Sequence, residues 1–355
     1  MNKKRILYIN INNSTFIKKD EDILKEFYDV RVFLFDVRSG NKFYYVFLCI
    51  KLFFWMAANI FWCQIIFVRF ADYYGLILGL FAKFFKKNLV IVEGGLGATA
   101  YKSIDDGVYL KKLRGYCAKY SFKTAKWILP VDESLIYFEN NYTVLKEESK
   151  QGIIYFNPKI ERNKIITVHN GYDGKFWYKL ESIPKKMIAV TTGNIIRYKV
   201  FKNKGINYFI QLAEFFNEYD FYIIGVNKNF FESQKVNLPQ NLKLYEFLSL
   251  EEIRKIYSSA KVYIQLSITE GMPNSLCEAM LCECIPVGSN VNAIPNIIGD
   301  TGFIVHKQDL EEMKQKIQAA FSSSLNLGEK ARARISKKFS LEHRRNQLKK
   351  IIDYT

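Results

Sequence analysis

Six cysteines, Cys49, Cys63, Cys117, Cys277, Cys282 and Cys284, are spread over 355 residues without the spacing of a disulfide framework. That excludes the small secreted scaffolds that depend on such bridges. The opening MNKKRILYIN runs straight into a strand-like segment with no secretory leader, so a reducing cytoplasm is the expected compartment. Cys277, Cys282 and Cys284 cluster, but not at zinc-knuckle spacing and with no fourth ligand near. Small buried thiols at a helix and its exit account for them, and no metal is expected. No Gly-x-Gly-x-x-Gly follows the first strand-like segment, which removes the signature of a dinucleotide oxidoreductase. Internal repeats and low-complexity tracts are absent as well. No twenty-residue apolar run is free of polar interruption: the longest candidate, Lys42 to Phe70, is broken by Lys51, Asn59 and Gln64. Its first part, NKFYYVFLCIKLFFWMAANI, reads as a buried helix and WCQIIFVRF as a short strand. Aromatic and lysine residues on any exposed part of it would suit a bilayer surface.

What the chain does have is positive charge. Lys plus Arg total 52 against 35 acids, a formal +17. Such a balance favours a polyanionic partner: nucleic acid, an anionic membrane surface or a phosphorylated substrate. The basic residues are scattered, and zinc-finger and single-strand-binding signatures are missing, so nucleic acid is set aside. A hydrophobic content of 49% indicates a globular fold, and the length suggests two domains.

Short β-branched runs alternate with amphipathic stretches. Strand candidates are RILYIN, DVRVFLF, QIIFVRF, NLVIVE and KWILPV, then MIAVTTG, DFYIIG, LKLYEF, KVYIQLS, IPVGS and GFIV. Short strands separated by longer helices mean parallel βαβ units, and two doubly wound α/β domains hold eleven strands better than one sheet. The boundaries are placed at 1–165 for an N-terminal Rossmann-like domain, 166–338 for a C-terminal one and 339–355 for a last helix with Ser340 as its cap, packing back toward the first domain. IIYFNP suggests an extra hairpin.

The segment ITEGMPNSLCEAM, Ile268 to Met280, carries the chemistry. Glu270 stands just past the carboxyl end of a strand, where doubly wound sheets bind ligands. Pro273 suits the first turn of a helix, whose free N–H groups at Asn274, Ser275 and Leu276 form a site for electronegative oxygens. Gly271 lets a ligand approach the backbone. Glu278 lies about one and a half turns inside the helix, at 3.6 residues per turn. Carboxylates accept paired hydrogen bonds from vicinal diols, so two of them flanking an anion site suit two diol-bearing groups joined by phosphate. An ordinary strand–helix unit with solvated glutamates is the plain alternative. Cations for the phosphate come from TTGNIIRYKVFKNKG, where Gly193 follows a strand and Arg197, Lys199, Lys202 and Lys204 lie in the next turn and loop. A solvated basic loop is the plain alternative there.

Residues 268–305, with VHNGYD and GNIIRYKVFKNKGINYFIQLA, resemble the retaining glycosyltransferases of family 4, with their E-x7-E segment and Gly…Lys-Gly phosphate loop. The resemblance covers about 165–355 and is loose over the first half. It implies a GT-B fold, two doubly wound Rossmann-like domains facing each other across a cleft, and a nucleotide-diphospho-sugar donor held by the second. Glu270 and the backbone of Gly271, Met272, Pro273, Asn274 and Ser275 would face the transferred sugar. Glu278 would hold the donor ribose, Lys204 with Arg197 would neutralise the leaving diphosphate, and Phe247 would lie near the base. Transfer would retain the anomeric configuration and need neither metal nor other cofactor; no Asp-x-Asp is required, and Asp20-Glu21-Asp22 reads as a charge cluster at a helix start.

Departures from the family pattern concentrate on the acceptor side. Asn194 stands where the family commonly has Arg, and Arg197 comes three residues later. No histidine occurs before His169, whereas many members carry one near the donor sugar; VEGGLGA occupies that region, with Glu93 as either a polar group for the site or part of a bland turn. NINNSTFIKK replaces the Gly-rich first loop. The expected acceptor is a glycan or lipid-linked precursor of a cell-surface polysaccharide or glycolipid, handled in the cytoplasm or on the inner membrane face. The reading from another class is a non-catalytic sugar-nucleotide-binding or scaffolding subunit.

Overall fold

The computed structural model describes residues 3–11, 15–36, 41–143, 148–233 and 236–355. The chain divides into two compact units: Met1–Phe138, Lys150–Asn170 and Arg344–Thr355 in one, Glu139–Ser149 and Gly171–His343 in the other. The division thus falls after Asn170, not at 165, and one short segment of the first half is counted with the second unit.

The first unit is built on five parallel strands: β1 Arg5–Asn10, β2 Asp29–Leu34, β3 Ile65–Arg69, β4 Asn88–Glu93 and β5 Trp127–Pro130, in the order β2-β1-β3-β4-β5. The second has six: β6 Lys186–Ile195, β7 Asp220–Val226, β8 Leu242–Tyr245, β9 Ala260–Gln265, β10 Ile285–Ser289 and β11 Phe303–Val305, in the order β8-β7-β6-β9-β10-β11, again all parallel. All eleven expected strands are present. Their central members are buried along their whole length, as in β3 and β10, because helices cover both faces of a parallel sheet. Strand order reverses between β1 and β3 in one unit and between β6 and β9 in the other. In doubly wound sheets, ligands bind beyond the strand ends at such a reversal.

Several local expectations change. IIYFNP is not a hairpin: Ile153–Phe156 forms one helical turn. The basic stretch after Gly193 is not loop throughout, since Tyr198–Asn203 is helical with Arg197 as its N-cap. Lys42–Asn59 is the expected helix, but most of it is not buried: Leu48, Leu52 and Met56 are buried, at a spacing of four, and Tyr45 and Trp55 are half-buried against Phe35 and Phe33. Among the described residues no helix is long and apolar enough to cross a membrane. The last helix, Leu341–Asp353, begins with Ser340 Oγ accepting from His343 N at 3.1 Å.

Asp20 is not part of a solvated cluster at a helix start. It lies midway along the helix Thr15–Phe27 and is fully buried. Arg344 forks onto both its oxygens (2.6 and 2.8 Å) and Arg69 adds a third bond at 3.0 Å. Arg344 also donates to the carbonyls of Val168 and His169, at 3.1 and 2.7 Å, and Arg69 to Asn170 Oδ1 at 2.9 Å. One carboxylate therefore ties the C-terminal segment, β3 and the end of segment 150–170 together. Burial alone would raise the Asp20 carboxyl, but the guanidinium groups of Arg344 and Arg69 outweigh it and hold it below its ordinary value. Removing one member of a buried ion cluster strands the others, at a cost of about 3–5 kcal/mol. Asp20→Ala should lower unfolding stability by that order in urea at pH 7, while Asp22→Ala, on the exposed side of the same helix, should stay within about 0.5 kcal/mol of the native chain.

Glu93, at the carboxyl end of β4, is also fully buried. Its side chain turns back into its own loop and accepts from Gly95 N at 2.8 Å, Gly97 N at 2.9 Å and Ala71 N at 3.3 Å. Burial pushes this carboxyl up to about 7, against the lowering effect of the three N–H groups. The neutral acid is thus favoured in the folded state. The stability it contributes is complete below the unfolded value near 4.5 and is lost as pH rises through about 7. Comparing pH 5 with pH 8.5, Glu93→Gln should gain on the native chain by on the order of 3 kcal/mol of unfolding free energy, because 1.36 kcal/mol attaches to each unit. A difference that stays constant with pH would mean an ordinary carboxylate.

Candidate functional site

β9 ends at Gln265 and the chain crosses Leu266–Met272 before the helix Asn274–Leu281, with Pro273 as its N-cap. This puts Glu270 at the reversal between β6 and β9. Three groups converge on one of its oxygens: Lys204 Nζ at 2.5 Å, Ser267 Oγ at 2.8 Å and Gln265 Nε2 at 3.1 Å all bond Oε1. Among the described residues none bonds Oε2, so that lone-pair edge can serve a ligand hydroxyl. The Gln265 amide is oriented by its own neighbours, since its oxygen lies 3.1 Å from Tyr263 OH and its nitrogen 2.7 Å from Ser267 Oγ. Tyr263 OH is also 2.7 Å from Ser275 Oγ, which links the strand to the first turn of the helix.

Lys204 reaches Glu270 because of the residue after it. Gly205 has φ +65° and starts the helix Ile206–Phe215; a Cβ there would lie 2.5 Å from the carbonyl oxygen of Leu266. Only glycine adopts this backbone without strain and also permits that approach. Glycine is equally required at Gly225 on β7, at φ +83°, where a Cβ would meet the carbonyl oxygen of Gly193 at 2.0 Å. Gly193 in turn flanks the Lys204 stem, 3.6 Å from its Cγ to an added Cβ.

The loop itself is tied on several sides. Asn203 accepts from Ile268 N through its carbonyl (2.8 Å) and from Thr269 N through its side chain (3.1 Å). Asn292, held at φ +43°, accepts from Glu270 N and Thr269 Oγ1, both at 3.2 Å. Asn140 donates to Ile268 O at 2.9 Å, and Tyr142 O accepts from Gln308 N at 2.8 Å, which is why segment 139–149 is counted with the second unit. Backbone and side chain of Glu270 are therefore both positioned before any ligand arrives.

The helix N-terminus has the expected form. Its first i→i−4 bond is Cys277 N to Pro273 O at 3.5 Å, so Asn274, Ser275 and Leu276 lie ahead of the helical ladder. Leu276 is fully buried and Met272 nearly so; these two can offer a ligand only backbone. Asn274 Oδ1 accepts from Tyr172 OH at 3.0 Å. Glu278 is half-buried inside the helix, close enough to the hydroxyls of Tyr257 and Tyr263 to oppose their ionisation. Burial raises both tyrosines first, and they act as neutral hydroxyls; Tyr257 OH lies 2.7 Å from Thr192 Oγ1.

Two expected residues are not drawn into this cluster. Arg197 is exposed at the N-cap of its short helix, and Phe247 is 66% exposed in the loop after β8, though at the carboxyl edge of the same sheet. Gln265, Ser267, Asn292, Asn203, Tyr263 and Asn140 were not foreseen. A signal for some of them exists in YIQLS: Tyr263, Gln265 and Ser267 put a polar atom at every second position of an apolar strand, hence on one face.

Cys277, Cys282 and Cys284 are buried and unbridged. Lys185 Nζ sits beside Cys282 and Cys284, donating to the carbonyls of Tyr257, Ala260 and Cys282 at 2.8, 2.8 and 2.7 Å. The ammonium thus closes the ends of two helices. Burial lowers its pKa despite the neighbouring sulfurs.

Residues 184–339 match the family model of glycosyl transferases group 1. The capsular polysaccharide biosynthesis glycosyltransferase CapM of Staphylococcus aureus is 26% identical over 57% of this chain and 52% of that protein. The alpha-galactosylglucosyldiacylglycerol synthase of Streptococcus pneumoniae is 29% identical over 52% of this chain and 53% of that one. The chain spans about half the length of the curated relatives it matches. Among solved structures, Anabaena Alr3699/HepE in complex with UDP and glucose superposes with a TM-score of 0.72 over 99% of this chain and 100% of that one, at 11% identity. Residues 184–339 are thus similar to the glycosyl transferases group 1, and the chain's two doubly wound units have the GT-B fold.

Proposed function

We propose that the protein is a glycosyltransferase that moves a sugar from a nucleotide-diphospho-sugar to a glycan or lipid-linked acceptor. One observation carries the reading: the Lys204–Glu270 pair stands at the β6/β9 reversal, 2.5 Å apart, beside the N-terminus of the helix that holds Glu278. Glu270, then Lys204 with the helix end, then Glu278 match the order sugar, diphosphate, ribose of such a donor. The group 1 match supports the reaction class, and the similarity to a capsular polysaccharide glycosyltransferase and a glycolipid synthase supports a surface polysaccharide or glycolipid precursor as acceptor. In this reading the acceptor is met in the cytoplasm or at the inner membrane face.

In this reading Glu270 accepts from the transferred sugar through Oε2, with Gly271 to Ser275 lining it. Glu278 takes the ribose diol. Lys204 leaves Glu270 for the diphosphate, and Gln265 and Ser267 keep the carboxylate in place when it does. Arg197, on an exposed turn, closes onto the phosphates, and Phe247 borders the base. The bond from the anomeric carbon to the β-phosphate oxygen breaks as the acceptor oxygen attacks from the same face, and the acceptor proton passes to the departing phosphate. Configuration is retained. Lys204 and the helix end stabilise the departing charge, the role a metal ion fills elsewhere, and no further cofactor is invoked.

A second reading, a nucleotide-sugar-binding subunit without turnover, draws on the lack of any histidine before His169 and on Glu93 folding into its own loop. Release of free nucleotide from a panel of UDP-, GDP- and ADP-sugars, with glycan and lipid-linked acceptors, separates the two. The transferase reading expects acceptor-dependent release that falls roughly 100-fold or more in Lys204→Gln, which keeps a hydrogen bond for Glu270. Binding with no release under any acceptor would favour the second reading. Glu278→Ala should raise the nucleotide Kd about 10- to 100-fold, the range for a hydrogen bond to a charged group, with the unfolding midpoint little changed. An unaltered Kd would remove the ribose from Glu278.

A further inference from the structure

The first unit carries an apolar face that its own core does not cover. The helix Lys42–Asn59 turns Leu48, Leu52 and Met56 inward, with Tyr45 and Trp55 half-buried, and leaves Phe43, Tyr44, Phe47, Phe53 and Phe54 exposed. Phe43 is 87% exposed and Phe54 66%; Phe84, at the end of the helix Tyr74–Phe84, is 81% exposed and Phe61 78%. A chain of ring contacts joins two of them, Phe54 and Phe61. Phe54 lies edge-on to Phe53, Phe53 to Phe81, Phe81 stacks on Phe85, and Phe85 meets Phe61, with ring centroids 5.3 to 5.7 Å apart at each step. Next to these rings a groove of about 810 Å³ opens among Tyr44, Ile50, Phe53, Phe54, Ile77 and Leu113, with Lys42 and Lys111 also on its wall. Gly75 and Gly79 seat the helix Tyr74–Phe84 closely against Ser121 and Thr124, which holds the groove wall rigid.

Charge around this face is one-sided. Residues 37–131 contain fourteen basic residues and four acids, Asp72, Glu93, Asp105 and Asp106, so this stretch supplies a net +10 of the chain's +17. Arg114 forks onto Asp72 at 2.8 and 2.6 Å, and Glu93 is buried in its own loop. The helices Lys42–Asn59 and Tyr74–Phe84 have no acid at all, while Lys51, Lys83, Lys86, Lys111 and Lys112 are exposed. Aromatic side chains flanked by lysines, with no acid among them, are complementary to the boundary between acyl chains and anionic headgroups. A protein partner would need a matching acidic and apolar surface, and a second copy of this chain would bring the same positive charge against itself.

We propose that this face seats the protein on an anionic lipid bilayer, with one acyl chain entering the groove beside Ile50 and Phe53. The inference stands on the first unit alone and does not depend on the donor site. Cys49 gives a direct reading of the groove: it lies on the groove wall, and it is the one cysteine of the six that is not buried.

The test uses the full chain with vesicles of phosphatidylcholine alone or mixed with phosphatidylglycerol. Co-sedimentation should occur with the mixed vesicles at 20 mM salt and weaken at least tenfold at 500 mM, since headgroup attraction is screened. Maleimide labelling of Cys49 at pH 8, with Cys49→Ser as blank, should slow at least tenfold on the bound protein. The triple variant Phe43→Ser/Phe54→Ser/Phe84→Ser changes only exposed side chains; it should lose vesicle binding tenfold or more while its nucleotide affinity stays unchanged. Equal binding to uncharged vesicles, or full binding by the triple variant, would overturn the proposal. So would unchanged Cys49 labelling on the vesicle, which would leave the groove empty. A native chain that is dimeric by light scattering, becomes monomeric in the triple variant and ignores vesicles would make the face a self-association surface instead. Intact donor turnover beside any of these failures would sink this inference and leave the transferase reading standing.

Discussion

A lysine and a glutamate sixty-six residues apart meet at 2.5 Å where the strand order of the second sheet reverses, and the local architecture of that unit exists to make them meet. Gly205 allows the Lys204 turn to lie on Leu266. Gln265 and Ser267 fix the carboxylate from below, and Asn203 and Asn292 fix its backbone from the sides. Without a ligand the two charges satisfy each other. A diphosphate is a stronger partner for an ammonium than one carboxylate, so in the proposed reaction ligand entry would exchange one pairing for another and strand neither charge. Glu270 would keep two hydrogen bonds through that exchange, which makes the site preorganised and still able to release Lys204.

The same economy of charge appears in the first unit, with a different purpose. Asp20, Arg69 and Arg344 form a buried cluster whose value lies in tying distant segments together, because a buried ion pair adds little net stability over an apolar contact. Glu93 is held by backbone N–H groups and sits near neutrality in its titration. Neither carboxylate points outward as chemistry would require. What the first unit offers to the outside is the aromatic, lysine-rimmed face around the helix Lys42–Asn59.

Much of this was legible in the sequence. Eleven β-branched runs became eleven strands, because a strand covered on both faces must be apolar along its length. Glu270, Pro273 and Glu278 fell where the helix start placed them, since strand end, proline and helical pitch are local properties. Partnerships were not legible. Nothing in the spacing says that Lys204 pairs with Glu270, that Asn140 braces Ile268 or that Asp20 lies under two arginines, for these depend on which strands become neighbours. The helix Lys42–Asn59 was misread for a related reason. Its apolar content is plain, but only Leu48, Leu52 and Met56 are buried, and composition does not say whether the remainder is covered. Arg197 was assigned to a phosphate loop from its place in the chain; it caps a short helix and is exposed, so its part depends on movement.

The exchange at Lys204 is the central claim, and a structure of the protein with a bound nucleoside diphosphate (UDP, GDP or ADP, whichever binds most tightly) tests it most directly. The account predicts Lys204 Nζ within hydrogen-bond distance of the β-phosphate and no longer on Glu270, with Glu278 on the ribose hydroxyls and Gln265 and Ser267 still holding Glu270. A nucleotide bound away from the helix Asn274–Leu281, or one bound there with the Lys204–Glu270 pair intact, would contradict it.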